Sequence, residues 1–246
     1  MVVSAVPWAR RRFWHTVPDT FTEPGLTQHF VPPVPRAATI DGPAGPLEAR
    51  VEEPRAGSPV AVAGVVCHPH PLYGGTMQNK VVHTLARAMQ ELGAPTVRFN
   101  FRGVGSSAGH YDAGRGELED ALAVAAWARA HWRCDALWLA GFSFGAAVAL
   151  QAAAIVKPLA LVTVAPPVGR ILAHDTAHPR CPWLVVQGDA DELVDFANVR
   201  SWVASYDEPP ELVVFEGAEH FFHGRLGELR SAVSGFLAGK TPDSGV

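Results

Sequence analysis

Hydrophobic and polar positions change their rhythm along this chain at regular intervals, and each rhythm predicts an element. Leu47-Glu48-Ala49-Arg50-Val51-Glu52 switches between apolar and polar at every step, as an edge strand does. Val60 to Cys67 is almost continuously apolar, the pattern of a strand covered on both faces. From Met77 to Leu92 the apolar positions Val81, Leu85, Met89 and Leu92 share one helical face, and Gly93 ends the run. Thr96 to Phe101 predicts a further strand. Glu117 to Trp132 predicts a helix whose first turn carries Glu117, Glu119 and Asp120, where the positive end of the helix favours acids. Leu137-Trp138-Leu139-Ala140 is a short apolar strand that runs through Gly141-Phe142-Ser143-Phe144-Gly145 into a helix of small residues. Strands over Leu159–Ala165, Pro182–Gln187 and Glu211–Phe215 and helices over Phe196–Tyr206 and Phe221–Leu237 complete the pattern. Strand and helix alternate from about residue 47 onward. The fold class is therefore α/β, a mostly parallel, doubly wound sheet flanked by helices, with right-handed crossovers. In such sheets the chemistry gathers at the C-terminal ends of the strands. The loops of interest follow Cys67, Phe101, Phe142, Ala165, Gln187 and Phe215.

Composition narrows the picture. A chain of 246 residues with 48% hydrophobic content suits a single core, expected here over residues 36–246. Residues 1–35 are rich in Pro, Arg and aromatics, have no period, and are expected to be a loosely ordered extension. Arg10-Arg11-Arg12-Phe13 resembles a twin-arginine signal, but Thr16-Val17-Pro18-Asp19-Thr20 stands where an apolar segment should follow. An organellar transit segment is an alternative; a loose extension, or a start placed too far upstream, is the plainer reading. The net charge is −4 and no other basic block occurs, so no nucleic-acid partner is expected. No apolar run approaches the ~20 residues of a membrane span, and no membrane partner is expected. Cys67, Cys134 and Cys181 are widely spaced and odd in number. They read as free thiols of a reducing compartment, with a cytoplasmic location expected. Monomer and homodimer both remain open.

The candidate chemistry centres on Ser143. Gly-x-Ser-x-Gly between a strand and a helix is the nucleophile elbow of α/β-hydrolases, in which the serine is held up at the strand end. A nucleophilic serine needs a base, and the base needs an orienting acid. Gln187-Gly188-Asp189-Ala190-Asp191-Glu192 and Glu216-Gly217-Ala218-Glu219-His220 stand at the next suitable strand ends. The order Ser, Asp, His assigns Asp191 as acid and His220 as base. Asp189 and Asp195 are rival acids, with Asp189 expected to cap a turn. His223 is a rival base, expected one turn into the last helix. For the oxyanion hole, backbone N–H donors are expected from Phe144 and from the loop His68-Pro69-His70-Pro71-Leu72. The prolines have no N–H, which leaves His70 and Leu72, and His70 is chosen. A second Gly-x-Ser-x-Gly at Gly105-Ser106-Ser107-Ala108-Gly109 lacks an elbow's context and reads as a structural loop. The pair His68 and His70 also permits a metal site, with His220, His223, Asp189 and Asp191 as further ligands. The plainer reading of His68 is packing and hydrogen bonding; neither metal nor cofactor is expected.

These segments together carry a resemblance. His68-Pro69, Gly74-Gly75-x-Met77-x-Asn79-Lys80-Val81-Val82, Arg98-Phe99-Asn100-Phe101-Arg102-Gly103-Val104-Gly105-x-Ser107-x-Gly109, Gly141-Phe142-Ser143-Phe144-Gly145 and Gln187-Gly188-Asp189-x-Asp191 resemble the small, capless bacterial α/β-hydrolases related to dienelactone hydrolases. The resemblance spans roughly residues 46–238 and implies a serine hydrolase with Ser143, Asp191 and His220 in the roles above. Dienelactone hydrolases proper use cysteine where Ser143 stands, so their substrate is not carried over. Only Pro166 to Cys181 separates two strands at the place where lidded relatives insert a cap, too short for a cap domain. The expected function is therefore cleavage of a small, soluble ester or thioester through an acyl-enzyme. Leu72, Tyr73, Phe142, Phe144, Phe221 and Phe222 are candidates to line the acyl pocket. A dormant hydrolase-fold binding protein is the alternative from another class, and a metallohydrolase using His68 and His70 the third.

Overall fold

A computed structural model of the chain describes residues 14–16, 34–53, 61–172, 176 and 178–241. Its strands are β1 (Trp14–Thr16), β2 (Arg36–Gly42), β3 (Gly45–Glu52), β4 (Ala63–Cys67), β5 (Thr96–Phe99), β6 (Leu137–Phe142), β7 (Ala160–Val164), β8 (Trp183–Gly188) and β9 (Glu211–Phe215). Its helices are α1 (Lys80–Glu91), α2 (Arg115–Trp132), α3 (Phe144–Val156), α4 (Phe196–Ala204) and α5 (Leu226–Ala238). The described strands make one sheet in the order β1-β9-β8-β7-β6-β4-β5-β3-β2. Pairing is parallel except for β2 with β3 and β3 with β5. This is the doubly wound α/β-hydrolase sheet.

The apolar runs explain the layers. β4 and β6 are buried at every position, because both faces of the sheet are covered. Val65 and Leu139 turn to one face and pack with Val124 of α2, Val148 of α3 and Val199 of α4. Val66, Trp138, Ala140 and Phe142 turn to the other, with Leu85 of α1 and Leu229 and Val233 of α5. Each such side chain removed from water contributes about 1.5–3 kcal/mol. Helix starts are set by side chains that take up otherwise unpaired N–H groups. Asn79 accepts from Val81 N–H at the head of α1, and Asp195 from Ala197 and Asn198 N–H at the head of α4.

The chain leaves β4 for β5 on one side and returns to β6 on the other. A crevice opens where the strand order reverses, at the C-terminal ends of β4 and β6. From β7 to β8 the described residues hold one isolated bridge, Val168 to Leu172, and no cap domain. No described helix is long and apolar enough to cross a membrane.

Several elements differ from expectation, and for β2, α1 and α5 the reason is local. β2 is not legible as a strand because its inward positions are Ala38, Ile40 and Gly42, of which only Ile40 is large and fully buried, so its alternation carries little apolar signal. α1 starts at Lys80 rather than Met77, since Asn79 caps it and Met77 N–H is bonded to Asn100 Oδ1 at 2.9 Å. α5 starts at Leu226 rather than Phe221. The preceding residues turn, with positive φ at Gly217, Phe222 and Gly224. Within the expected extension, Trp14–Thr16 lies parallel to β9; the remainder up to residue 33, like Val60 of the expected β4, lies outside the described residues.

Candidate active site

The elbow is built by sterics. Ser143 has φ +55° and ψ −119°, a conformation costing a non-glycine residue about 1–3 kcal/mol. The flanking glycines make it possible. A Cβ on Gly141 would collide with the Gly145 carbonyl, and one on Gly145 would lie 2.5 Å from the Cys67 and His68 carbonyl oxygens. With these approaches open, the chain turns sharply from β6 into α3. Ser143 N–H donates to Val164 O of β7 at 2.8 Å, and Ser143 O receives Ala146 N–H at 2.8 Å.

The loops after β8 and β9 bring two further side chains to this point. Ser143 Oγ is 3.1 Å from His220 Nε2, and His220 Nδ1 is 2.8 Å from Asp191 Oδ2. The His220 and Asp191 side chains are 3% and 0% exposed, so the contact is shielded from water. Asp191 Oδ1 accepts from Leu193 N–H at 2.9 Å and Val194 N–H at 2.8 Å, while Gln187 Nε2 donates to Oδ2 at 2.9 Å. Burial would raise the Asp191 carboxyl, but the His220 ring and the Val194 and Leu193 amides outweigh it and hold it below the usual carboxylate range. A charged carboxylate here keeps the imidazole proton on Nδ1 and leaves Nε2 to accept from Ser143.

The rivals are occupied otherwise. Asp189 does not cap its own turn; its Oδ1 accepts Gly217 N–H, 2.6 Å away in the loop that carries His220. Asp195 caps α4. His223 stands in a turn before α5, not one turn inside it, and Nδ1 faces Glu219 Oε2 at 3.3 Å on the surface. Glu192, not singled out in the sequence, accepts His220 N–H at 3.1 Å. The run Asp189 to Glu192 thus grips the next loop through three side chains, a function its density of carboxylates beside a strand end could have suggested.

His68 is wholly buried, and both its ring nitrogens are spent. Nδ1–H donates to Pro69 O at 2.6 Å, and Nε2 accepts Phe101 N–H at 3.0 Å. Burial lowers its pKa to about 4. A metal on His68 would have to break one of these bonds, and among the described residues no group of three or more His, Cys, Asp or Glu could hold an ion. His70 lies in the same loop. Leu72 N–H, the other oxyanion candidate, is already donated to His70 Nδ1 at 3.2 Å. Phe144 N–H opens α3 and has no acceptor within the helix.

Of the expected pocket residues, Leu72, Tyr73 and Phe221 are 65%, 85% and 39% exposed. Tyr73 lies against His70 with the rings tilted 47° to each other, and Phe221 and His220 meet at right angles. Phe142, Phe144 and Phe222 are buried and line nothing open. Phe142 instead supports the His220 ring from below, with centroids 5.0 Å apart. The second Gly-x-Ser-x-Gly is a loop tied by Ser107, whose Oγ donates to Asn100 O and accepts Glu48 N–H. A concavity of about 1040 Å³ lined by His178, Trp183, Tyr206 and Phe236 sits at the N-terminal ends of β8 and β9, so cavity size does not locate the chemistry.

Comparison with known proteins agrees with this architecture. The family model described as X-Pro dipeptidyl-peptidase (S15 family) matches residues 45–171. An uncharacterised protein of Rickettsia prowazekii (strain Madrid E) is 34% identical over 208 residues, covering 80% of this chain and 87% of the relative. A Xanthomonas campestris α/β serine hydrolase without lid superposes with a TM-score of 0.80 and 46% identity, covering 89% of this chain and 100% of that one. An α/β serine hydrolase homologue from Coxiella burnetii gives a TM-score of 0.79 and 51% identity, covering 82% and 97%. With its strained Ser143 elbow, doubly wound sheet and absent cap, the chain belongs to the capless α/β serine hydrolases.

Proposed function

We propose that this hydrolase is a serine esterase or thioesterase that cleaves small acyl substrates through an acyl-enzyme. The observation that carries this reading is the line of contacts from Ser143 Oγ through His220 to Asp191, 3.1 Å and then 2.8 Å, on a strained elbow. Ser143 Oγ attacks the carbonyl carbon as His220 Nε2 takes its proton. The tetrahedral oxyanion is received by the backbone N–H groups of His70 and Phe144. His220 returns the proton to the departing alcohol or thiol, then activates water to release the acid. Asp191 holds the imidazole in orientation and balances the charge it gains. No cofactor takes part. Leu72, Tyr73 and Phe221 offer apolar surface to the acyl group, and among the described residues no cap covers that surface. This supports short, soluble esters over long-chain lipids.

The S15 match supports a second reading, a peptidase acting through the same acyl chemistry. The matched span contains Ser143 but ends before Asp191 and His220, so it speaks for the scaffold and elbow more than for the complete site.

The test compares wild type with Ser143→Ala. A fluorophosphonate adduct is expected on the Ser143 peptide by mass, and p-nitrophenyl acetate turnover is expected to fall ~10³-fold or more in the variant. Wild type that takes no label and turns over no ester would favour a dormant fold. Turnover of Ala-Pro-p-nitroanilide in place of the ester would favour the peptidase. Activity that survives Ser143→Ala and is lost with chelator would return attention to His68 and His70.

A further inference from the structure

Of the polar contacts between the loop after β5 and the loop after β4, the one made by Tyr111 bears on the oxyanion donors. Tyr111 Oη lies 3.2 Å from His70 Nε2. His70 Nδ1 already accepts Leu72 N–H at 3.2 Å. A neutral imidazole has one accepting and one donating nitrogen. With Nδ1 accepting, the ring proton sits on Nε2 and is donated to Tyr111 Oη. Protonating the ring would break the Leu72 bond; burial, which outweighs the nearby Glu117 carboxylate, lowers the His70 pKa and favours the neutral ring. Tyr111 is itself held from behind. Buried Glu117, in the first turn of α2, accepts Asp112 N–H at 2.9 Å and Gly114 N–H at 2.8 Å. The His70 and Tyr111 rings both lie against Phe144, with centroids 4.9 and 5.9 Å away. A continuous set of contacts therefore runs from the start of α2 to His70 and Phe144, the two residues proposed above to supply the oxyanion N–H groups.

We infer that Tyr111 is a positioning residue of the oxyanion hole: its hydroxyl fixes the His70 ring, and through it the His70 N–H opposite that of Phe144. The inference rests on the serine hydrolase reading above. Nothing in the sequence marks Tyr111, because it lies past the Gly103–Gly109 segment in a stretch with neither period nor spacing rule.

The test uses the full chain and p-nitrophenyl acetate. Tyr111→Phe keeps the ring against Phe144 and removes only the acceptor. Its kcat is expected to fall about 10-fold with KM within about twofold, less than the ~10²–10³-fold that follows outright loss of a donor. His70→Asn can still accept Leu72 N–H through its side-chain oxygen but is too short to reach Tyr111. It is expected to lose the same factor, and the double variant no more than either single one, since both act through one contact. A purely structural role would lower the unfolding temperature without this non-additivity. The inference is overturned by wild-type kcat in Tyr111→Phe, by a loss confined to KM, or by a double variant that loses the product of the two single losses. If Tyr111→Phe does not fold, His70→Asn decides alone, and wild-type kcat in it is the overturning result. Ser143→Ala assayed alongside separates the two levels. Turnover that survives there defeats the serine reading itself, whereas turnover lost there but untouched in Tyr111→Phe defeats only the role of Tyr111.

Discussion

At the scale of single residues, the site depends on groups that are buried and held in one protonation state. His68 shows this most directly. It bridges the loop after β4 to Phe101 with both ring nitrogens, and its folded pKa is about 4 against an ordinary 6.5. Between these values the unfolded chain binds a proton that the folded one does not. Stability is therefore fully present above pH ~6.5 and is lost as pH falls towards 4, by an amount on the order of 3 kcal/mol. Asp191, held below the usual carboxylate range, acts in the same direction further down: it contributes stability above its ordinary pKa that is lost as pH falls through its folded value. Urea unfolding followed from pH 7 to pH 4 is expected to show the decline. In His68→Gln, which cannot titrate, the curve should be shallower by roughly the His68 share; an unchanged slope would mean that His68 is not held neutral.

At the scale of elements, loops are tied to neighbouring loops or helices by carboxylates that accept backbone N–H groups. Asp189 and Glu192 do so for the loop that carries His220, and Glu117 does so for Asp112 and Gly114 next to Tyr111. Asp120 of α2 does so for the start of the loop after β5: its Oδ2 accepts Arg102 N–H at 2.9 Å, and its carboxylate also pairs with the Arg102 guanidinium. Asp120 is fully buried, and the Arg102 side chain is 10% exposed. Asp120→Ala would leave an unpaired N–H and a mostly buried cation still paired with the exposed Glu119 at 3.2 Å, and is expected to cost about 3 kcal/mol in urea unfolding. A cost under ~1 kcal/mol would show that the loop does not need this anchor. In contrast, Arg36→Ala breaks a pair with Glu53 in which both side chains are well exposed, and is expected to change stability by at most ~1 kcal/mol.

At the scale of the molecule, the strand order decides where the chemistry sits, and the short β7–β8 connection leaves no room there for a cap domain. β4 and β6 are adjacent although β5 lies between them in the chain, so the loops that carry His70 and Ser143 face each other. Among the described residues there is no cap to swing aside at a lipid surface. Turnover of p-nitrophenyl butyrate is expected to rise smoothly and saturate as its concentration passes the solubility limit. A sharp increase at that limit would point to a closure that the described residues do not contain.

Much of this molecule was legible in the chain because its signals are local. A strand buried on both faces must be continuously apolar, an amphipathic helix must repeat near every 3.6 residues, and a turn as tight as that at Ser143 must have glycine where Gly141 and Gly145 stand. Those rules identified the α/β class, the elbow, and Asp191 and His220 at successive strand ends. The edge strand β2 escaped because its core-facing positions, Ala38, Ile40 and Gly42, hold a single large apolar side chain, too little to show a period. The start of α5 was misjudged because Phe221 and Phe222 continue an apolar period through residues that turn. Phe142, Phe144 and Phe222 could not be assigned to pocket or core, since an aromatic side chain suits both and only its neighbours decide. The grip of Asp189 and Glu192 on the His220 loop, and the meeting of Tyr111 with His70, join residues 28 or more positions apart. Contacts of that kind have no period and no spacing rule; they exist only once the sheet has set its strand ends side by side.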